Sequence, residues 1–200
     1  MKNIVHLFLL VVCLYPCTIL SQQLPELPLR NTASKDLLLP EIQLAQGEIA
    51  VIITTGGGRS AYDSSVYYVF KHRDNVKAYE QKIPKRNPKN KNLKKTSGRK
   101  VLGETVPKRL HSSLIDKRTA GFLKYSQADF TLKLKDPKKN NPCIIDDAQS
   151  YTITFVQNGK ANSYTYYAPK YHLEQCKNPA INKKVLADFV KLLELWEVEL

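Results

Sequence analysis

The sequence predicts an α+β domain, an antiparallel sheet of β-hairpins packed against an amphipathic helix at the carboxy terminus. Three observations predict it. Ile49, Val51, Ile52 and Ile53 bunch β-branched residues into one short run, which favours a largely buried strand. Asn158-Gly159 separates the strand-like segments 151–156 and 163–167, and this dipeptide supplies the two positive-φ residues of a type I′ hairpin turn. Val185, Leu186, Phe189, Val190, Leu193 and Trp196 recur at three and four residues, which draws one apolar face along a helix.

In chain order, the first element is a leader. Lys2 precedes residues 4–20, which are nearly free of charge, and Ser21 stands at a cleavage position before the polar pair Gln22-Gln23. This is the three-part layout of a secretory signal. A bilayer span takes about 20 apolar residues, but Pro16 interrupts the run and no basic stop-transfer cluster follows it closely. Val12 and Pro16 precede Cys13 and Cys17, where a lipid-modified cysteine wants a small residue. The expectation is a cleaved signal over 1–21, a secreted or periplasmic product and no transmembrane segment after cleavage. Residues 22–44 contain Pro25, Pro28 and Pro40 among leucines. They read as an extended lead-in lying along the domain through Leu37, Leu38 and Leu39, because proline forbids a helix interior. Residues 45–200 then form a single domain.

Gly56-Gly57-Gly58 ends the first strand, residues 66–70 make a second, and residues 76–83 a third with poor alternation. Residues 82–109 carry Lys82, Lys85, Arg86, Lys89, Lys91, Lys94, Lys95, Arg99, Lys100, Lys108 and Arg109 against the single acid Glu104. With few large apolar residues and dense like charge, the stretch reads as a solvated surface loop or inter-unit linker. Residues 110–136 carry two conflicting signals. Ser126 with Asp129 looks like a helix-starting capping box, whereas Phe130, Leu132 and Leu134 alternate with polar residues as a strand does. Pro169 ends the last strand, and Asn178-Pro179 reads as the cap and first turn of the final helix. The segments 49–70 and 151–167, each followed by a candidate helix, hint at a duplicated ββα arrangement.

Removing the leader leaves Cys143 and Cys176 as the two cysteines. In an exported protein they read as one disulfide, since an oxidising compartment lets it persist. The bridge would pin the final helix to the hairpin before it.

The whole chain has a formal net charge of +13, which attracts anionic surfaces and says nothing about fold. The candidate anion-binding residues are Lys85, Arg86, Lys89, Lys91, Lys94, Lys95, Arg99 and Lys100. Residues 82–109 contain no aromatic residue, so stacking platforms for single-stranded nucleic acid are missing there, and no sequence-specific nucleic-acid partner is expected. Tyrosines are frequent elsewhere, and a tyrosine on a sheet face can hold a sugar or a partner protein through its apolar body and polar tip.

Catalytic and cofactor patterns are weaker. The glycines at 56–58 match neither the Gly-x-Gly-x-x-Gly nor the Walker spacing, so a plain turn explains them. His72, His111 and His172 lie far apart in sequence and match no zinc-ligand spacing. No Gly-x-Ser-x-Gly elbow is present. The expectation is therefore an exported, non-enzymatic binding or envelope-associated protein without cofactor or metal. Its partner would be an anionic polymer, a membrane surface or a protein. The competing expectation is a small extracytoplasmic hydrolase using a histidine with a serine or aspartate near the glycine segment.

Overall fold

The β-branched run becomes the centre of the sheet because it is flanked by strands on both sides and covered on both faces. In the computed structural model, which describes residues 23–72, 75–85, 92–136, 138 and 140–198, seven strands form one antiparallel sheet. They are β1 (Asn31–Thr32), β2 (Ile49–Gly57), β3 (Tyr62–His72), β4 (Asn75–Pro84), β5 (Thr96–Lys100), β6 (Gln149–Gln157) and β7 (Lys160–Tyr167). Their spatial order is β1-β7-β6-β2-β3-β4-β5. The predicted leader, and Arg86, Lys89 and Lys91 among the candidate contacts, lie outside the described residues.

Ile49, Val51 and Ile53 face a helical layer, together with Phe155, Ile153 and Phe70 of the neighbouring strands. Ala50 and Ile52 face the other way, where Leu39 and Ile42 of the lead-in cover them alongside Tyr67, Val69 and Val156. A strand buried on both faces has no polar side to alternate with, hence the continuous apolar run. The lead-in therefore lies along the domain as its sequence suggests, with Leu39 buried and Leu37 and Leu38 packed beside it. Midway along it, Asn31 and Thr32 add β1 to the edge of β7.

The helical layer consists of α1 (Val106–Ile115), α2 (Lys117–Phe122), α3 (Pro169–Glu174) and α4 (Lys183–Leu195). All six residues of the predicted apolar stripe are buried, and Leu192 joins them. Trp196 closes α4 and packs edge-on against Phe70 and Phe155, with ring centroids 6.2 and 6.0 Å away. Asn158 and Gly159 turn the β6–β7 hairpin at φ of 50° and 71°, the type I′ signature.

Two expectations need correction and one needs extension. The final helix does not start at Asn178-Pro179. The Asn178 side chain accepts the Ala180 amide at 2.9 Å, and its carbonyl accepts the Ile181 amide, which makes a turn. Ile181 then bridges to Thr131, and Asn182 caps α4 by accepting the Val185 amide. Pro169 ends β7 but also opens α3, after Ala168 turns the chain at φ 46°. Finally, residues 82–109 are not a loop throughout. Thr96–Lys100 pairs with β4 as an edge strand, and α1 begins at Val106.

The ambiguous segment 110–136 is helical in parts up to Phe130, and Thr131 then enters a bridge with Ile181. Beyond α1 and α2, Ser126 and Asp129 form the predicted capping box on the 3-10 turn Gln127–Phe130. Asp116 caps α2 by accepting the Arg118 amide at 2.7 Å and ion-pairs with the same guanidinium at 2.9 Å. These hydrogen bonds lower the Asp116 carboxyl from an ordinary 3.8 to about 2. A carboxyl depressed on folding stabilises the fold above its ordinary value, so this cap holds at neutral pH and is lost as the pH falls towards 2.

The first hairpin, β2–β3, is followed by β4 and β5 before its helices, whereas β6–β7 passes directly to α3 and α4. Cys143 and Cys176 are joined, with Cα atoms 5.7 Å apart. The bond ties the loop before β6 to the segment between α3 and α4. No described helix is long and apolar enough to cross a membrane.

Candidate functional site

A strand such as Thr-Ser-Gly-Arg-Lys has no apolar residue to bury, and all five of its residues are exposed. Pairing with β4 makes it a strand, and its place at the end of the sheet makes it an edge. Successive side chains point to opposite faces. Arg99, opposite Tyr79, projects on the lead-in side of the sheet, and Lys100, opposite Ala78, on the helical side. Lys94 and Lys95 are exposed just before it. Among the described residues none of Lys94, Lys95, Arg99 and Lys100 is ion-paired, because the neighbouring acid Glu80 lies 3.6 Å from Lys82.

The other predicted contacts divide. Lys85 turns away from solvent, with its ammonium on the carbonyls of Gly57 and Gly58. It pins a turn and stands apart from the edge cluster. That turn also settles the glycine segment. The Gly57 amide donates to Asp63 Oδ1 at 3.3 Å and the Gly58 amide to the Ala148 carbonyl at 2.8 Å. Gly57 has φ 78°, and a Cβ there would sit 2.9 Å from the Ala148 carbonyl oxygen. Amides committed to protein acceptors do not cradle a phosphate, so the glycines serve a close approach of two chain segments.

Beside the edge, a cleft of about 540 Å³ opens between the lead-in and the sheet, with Lys35 and Lys95 among its lining and Tyr67 and Gln81 on the sheet side. Burial, the largest effect, pushes the Tyr67 phenol above its ordinary value despite a hydrogen bond with Ser65 that works the other way. It therefore stays protonated over the physiological range.

A second basic cluster escaped the sequence. Arg118, Lys124, Lys184 and Lys191 surround a cleft of about 300 Å³ with Asp188. The Tyr125 hydroxyl donates to Asp188 at 3.0 Å, and Lys184 donates to Tyr125 at 2.6 Å. Those two partners hold the Lys184 ammonium above its ordinary value. These cations come from two segments far apart in sequence. The signal available was the spacing of Lys184, Asp188 and Lys191 on α4, which is also that of a solvated helix face. Arg118 is engaged by Asp116 and Lys184 by Asp188, so this cluster is partly neutralised and the β5 edge is not.

The histidines lie on three elements. His72 is at the exposed end of β3, His111 on α1 and His172 on α3. His172 Nδ1 lies 3.0 and 3.2 Å from the carbonyls of Tyr167 and Ala168, an engagement with backbone at the α3 start. Among the described residues no group of three or more His, Cys, Asp or Glu could hold a metal ion. Comparison of the chain with protein-family models and with curated proteins found no match.

Proposed function

We propose that this chain is an exported, non-enzymatic binding protein that engages an anionic surface through its β5 edge. One observation carries the reading: Lys94, Lys95, Arg99 and Lys100 stand exposed on and beside an edge strand, with no ion-pair partner among the described residues. Cations left unpaired at this density raise the local concentration of polyanions and release their counterions on contact. Export is supported by the leader pattern and by the Cys143–Cys176 bond, since disulfides persist on the oxidising side of a membrane. The hydrolase reading has less support, because the three histidines sit on separate elements and Nδ1 of His172 faces backbone carbonyls.

Replacing Lys94, Lys95, Arg99 and Lys100 together with glutamine tests the proposal on immobilised heparin. The variant is expected to elute at much lower salt than the parent. The logarithmic salt dependence should flatten by roughly three to four, close to one for each charge removed. Charges on an edge strand also keep sheets from pairing edge to edge. Unchanged elution, with aggregation of the variant at low salt, would assign these residues to that protective role instead.

A further inference from the structure

The face of the sheet turned away from the helices is only partly covered. The lead-in packs on Ala50, Ile52, Tyr67, Val69 and Val156, and in the next row Gln81 is buried at the cleft beside it, Ser65, Thr54 and Thr152 are half-buried, and Ser97 and Thr165 are exposed. Register places this row across six strands. Ser97 lies opposite Gln81, Gln81 opposite Ser65, Ser65 opposite Thr54, Thr54 opposite Thr152, and Thr152 opposite Thr165. At the usual strand spacing such a row is about 24 Å long. All six side chains are hydroxyls but one, and that one is an amide. Beside it Ile83 lies opposite Asp63, Gly56 opposite Ser150 and Ser150 opposite Tyr167, and a Cβ on Gly56 would sit 2.9 Å from Asp63 Oδ1, which makes a second row of Ile83, Asp63, Gly56, Ser150 and Tyr167. Asp63 is the only charged residue on the two rows, in a chain where 24% of residues are charged.

The hydroxyls are organised in cross-strand pairs. Thr54 and Ser65 are 2.8 Å apart, Thr152 and Thr165 2.8 Å, and Thr154 and Ser163 2.7 Å. A hydroxyl pair holds two protons and uses one in its own bond. For Thr152 with Thr165 the second proton has no acceptor among the described residues, whereas Thr154 is buried. At the β5 end, Arg99 shares the face of Ser97, and Lys95 enters the cleft whose sheet side is Tyr67 and Gln81.

We propose that this face is a platform for an acidic polysaccharide, whose sugar hydroxyls lie along the Ser/Thr row while its carboxylates meet Lys95 and Arg99. The inference rests on the anion-binding reading of the β5 edge and names the class of polymer it takes. A polymer that carried charge alone would need the cations and gain nothing from the row. A protein partner would want an apolar centre, and here the exposed apolar side chains, Ile83 and Tyr167 at 42% and 39% exposure, sit at opposite ends of the second row. A polyol supplies both donors and acceptors at short intervals, which matches a half-exposed hydroxyl pair such as Thr152 with Thr165 that keeps spare capacity.

The test uses two anionic polymers, polygalacturonate as the uronate chain and linear polyphosphate as a polymer of charge without a sugar. Thr152→Val with Thr165→Val removes one hydroxyl pair while keeping shape and strand preference, and circular dichroism confirms the fold. The double variant is expected to bind polygalacturonate about threefold to tenfold more weakly for each hydroxyl lost, and to bind polyphosphate as the parent does. The quadruple glutamine variant of the β5 edge should lose both polymers. Unchanged polygalacturonate binding by the folded valine variant overturns the platform. So does a parent that holds polyphosphate but not polygalacturonate, and in that case the basic edge stands. A parent that holds neither polymer overturns the platform and the anion-binding reading together.

Discussion

Phe189→Ala is expected to cost the domain about 3 to 5 kcal/mol, the range for truncating a buried phenylalanine. Phe189 is fully buried on the sheet side of α4. Its ring lies 5.3 Å from Phe130, nearly perpendicular, and 5.8 Å from Phe122. Phe122 in turn meets Tyr164 of β7 at 4.7 Å, and the Tyr164 hydroxyl donates to the Tyr125 carbonyl at 3.0 Å. The ring thus stands where α2, the 3-10 turn, α4 and β7 converge, and each element is held by its hydrogen bonds elsewhere. A site held from four sides collapses poorly around a cavity, which puts the cost in the upper part of the range. Urea denaturation followed by circular dichroism measures it. A loss below about 1 kcal/mol would mean that α4 does not pack on the sheet through this face.

The second large effect concerns the disulfide. Replacing Cys143 and Cys176 together with serine is expected to cost roughly 3 to 4 kcal/mol by the chain-entropy model, for cysteines 33 residues apart. The closed loop contains β6, β7 and α3, so the unfolded chain loses freedom in the segment that forms the second hairpin. Reductant should move the urea midpoint of the parent to that of the serine variant and leave the variant itself unchanged. Coincident midpoints for parent and variant without reductant would show that the bond does not stabilise the domain. The same comparison bears on the proposed export, because disulfides persist on the oxidising side of a membrane.

The elements legible in the sequence are those whose local and tertiary preferences agree. The run at Ile49–Ile53, the Asn158-Gly159 turn and the stripe from Val185 to Trp196 each carry one message, and each forms as read. Where two messages compete, the sequence alone does not decide. Residues 126–134 hold both a capping box and strand alternation, and both leave a trace, in the 3-10 turn and in the Thr131–Ile181 bridge. Asn178 and Asn182 are both good caps. The pairing of Ile181 with Thr131, which is tertiary, selects the second. β5 is invisible for a different reason: it has no apolar residue, and only its partner makes it a strand.

The candidate site divides the same way. Its charge is plain in composition, since Lys94, Lys95, Arg99 and Lys100 are close in sequence. Its geometry is not. Lys85 belongs by sequence to the same cluster, yet its ammonium is consumed by the Gly57 and Gly58 carbonyls. The hydroxyl row joins positions 54, 65, 81, 97, 152 and 165, which only register brings into line.

The central claim is that β5 is where the polyanion sits, and amide chemical-shift mapping during a heparin titration tests it most directly. The account predicts that the largest shifts fall on residues 94–100 and on the β4 residues paired with them. Shifts concentrated instead on Arg118, Lys124, Lys184 and Lys191 would place the contact at the cleft between α2 and α4 and contradict it.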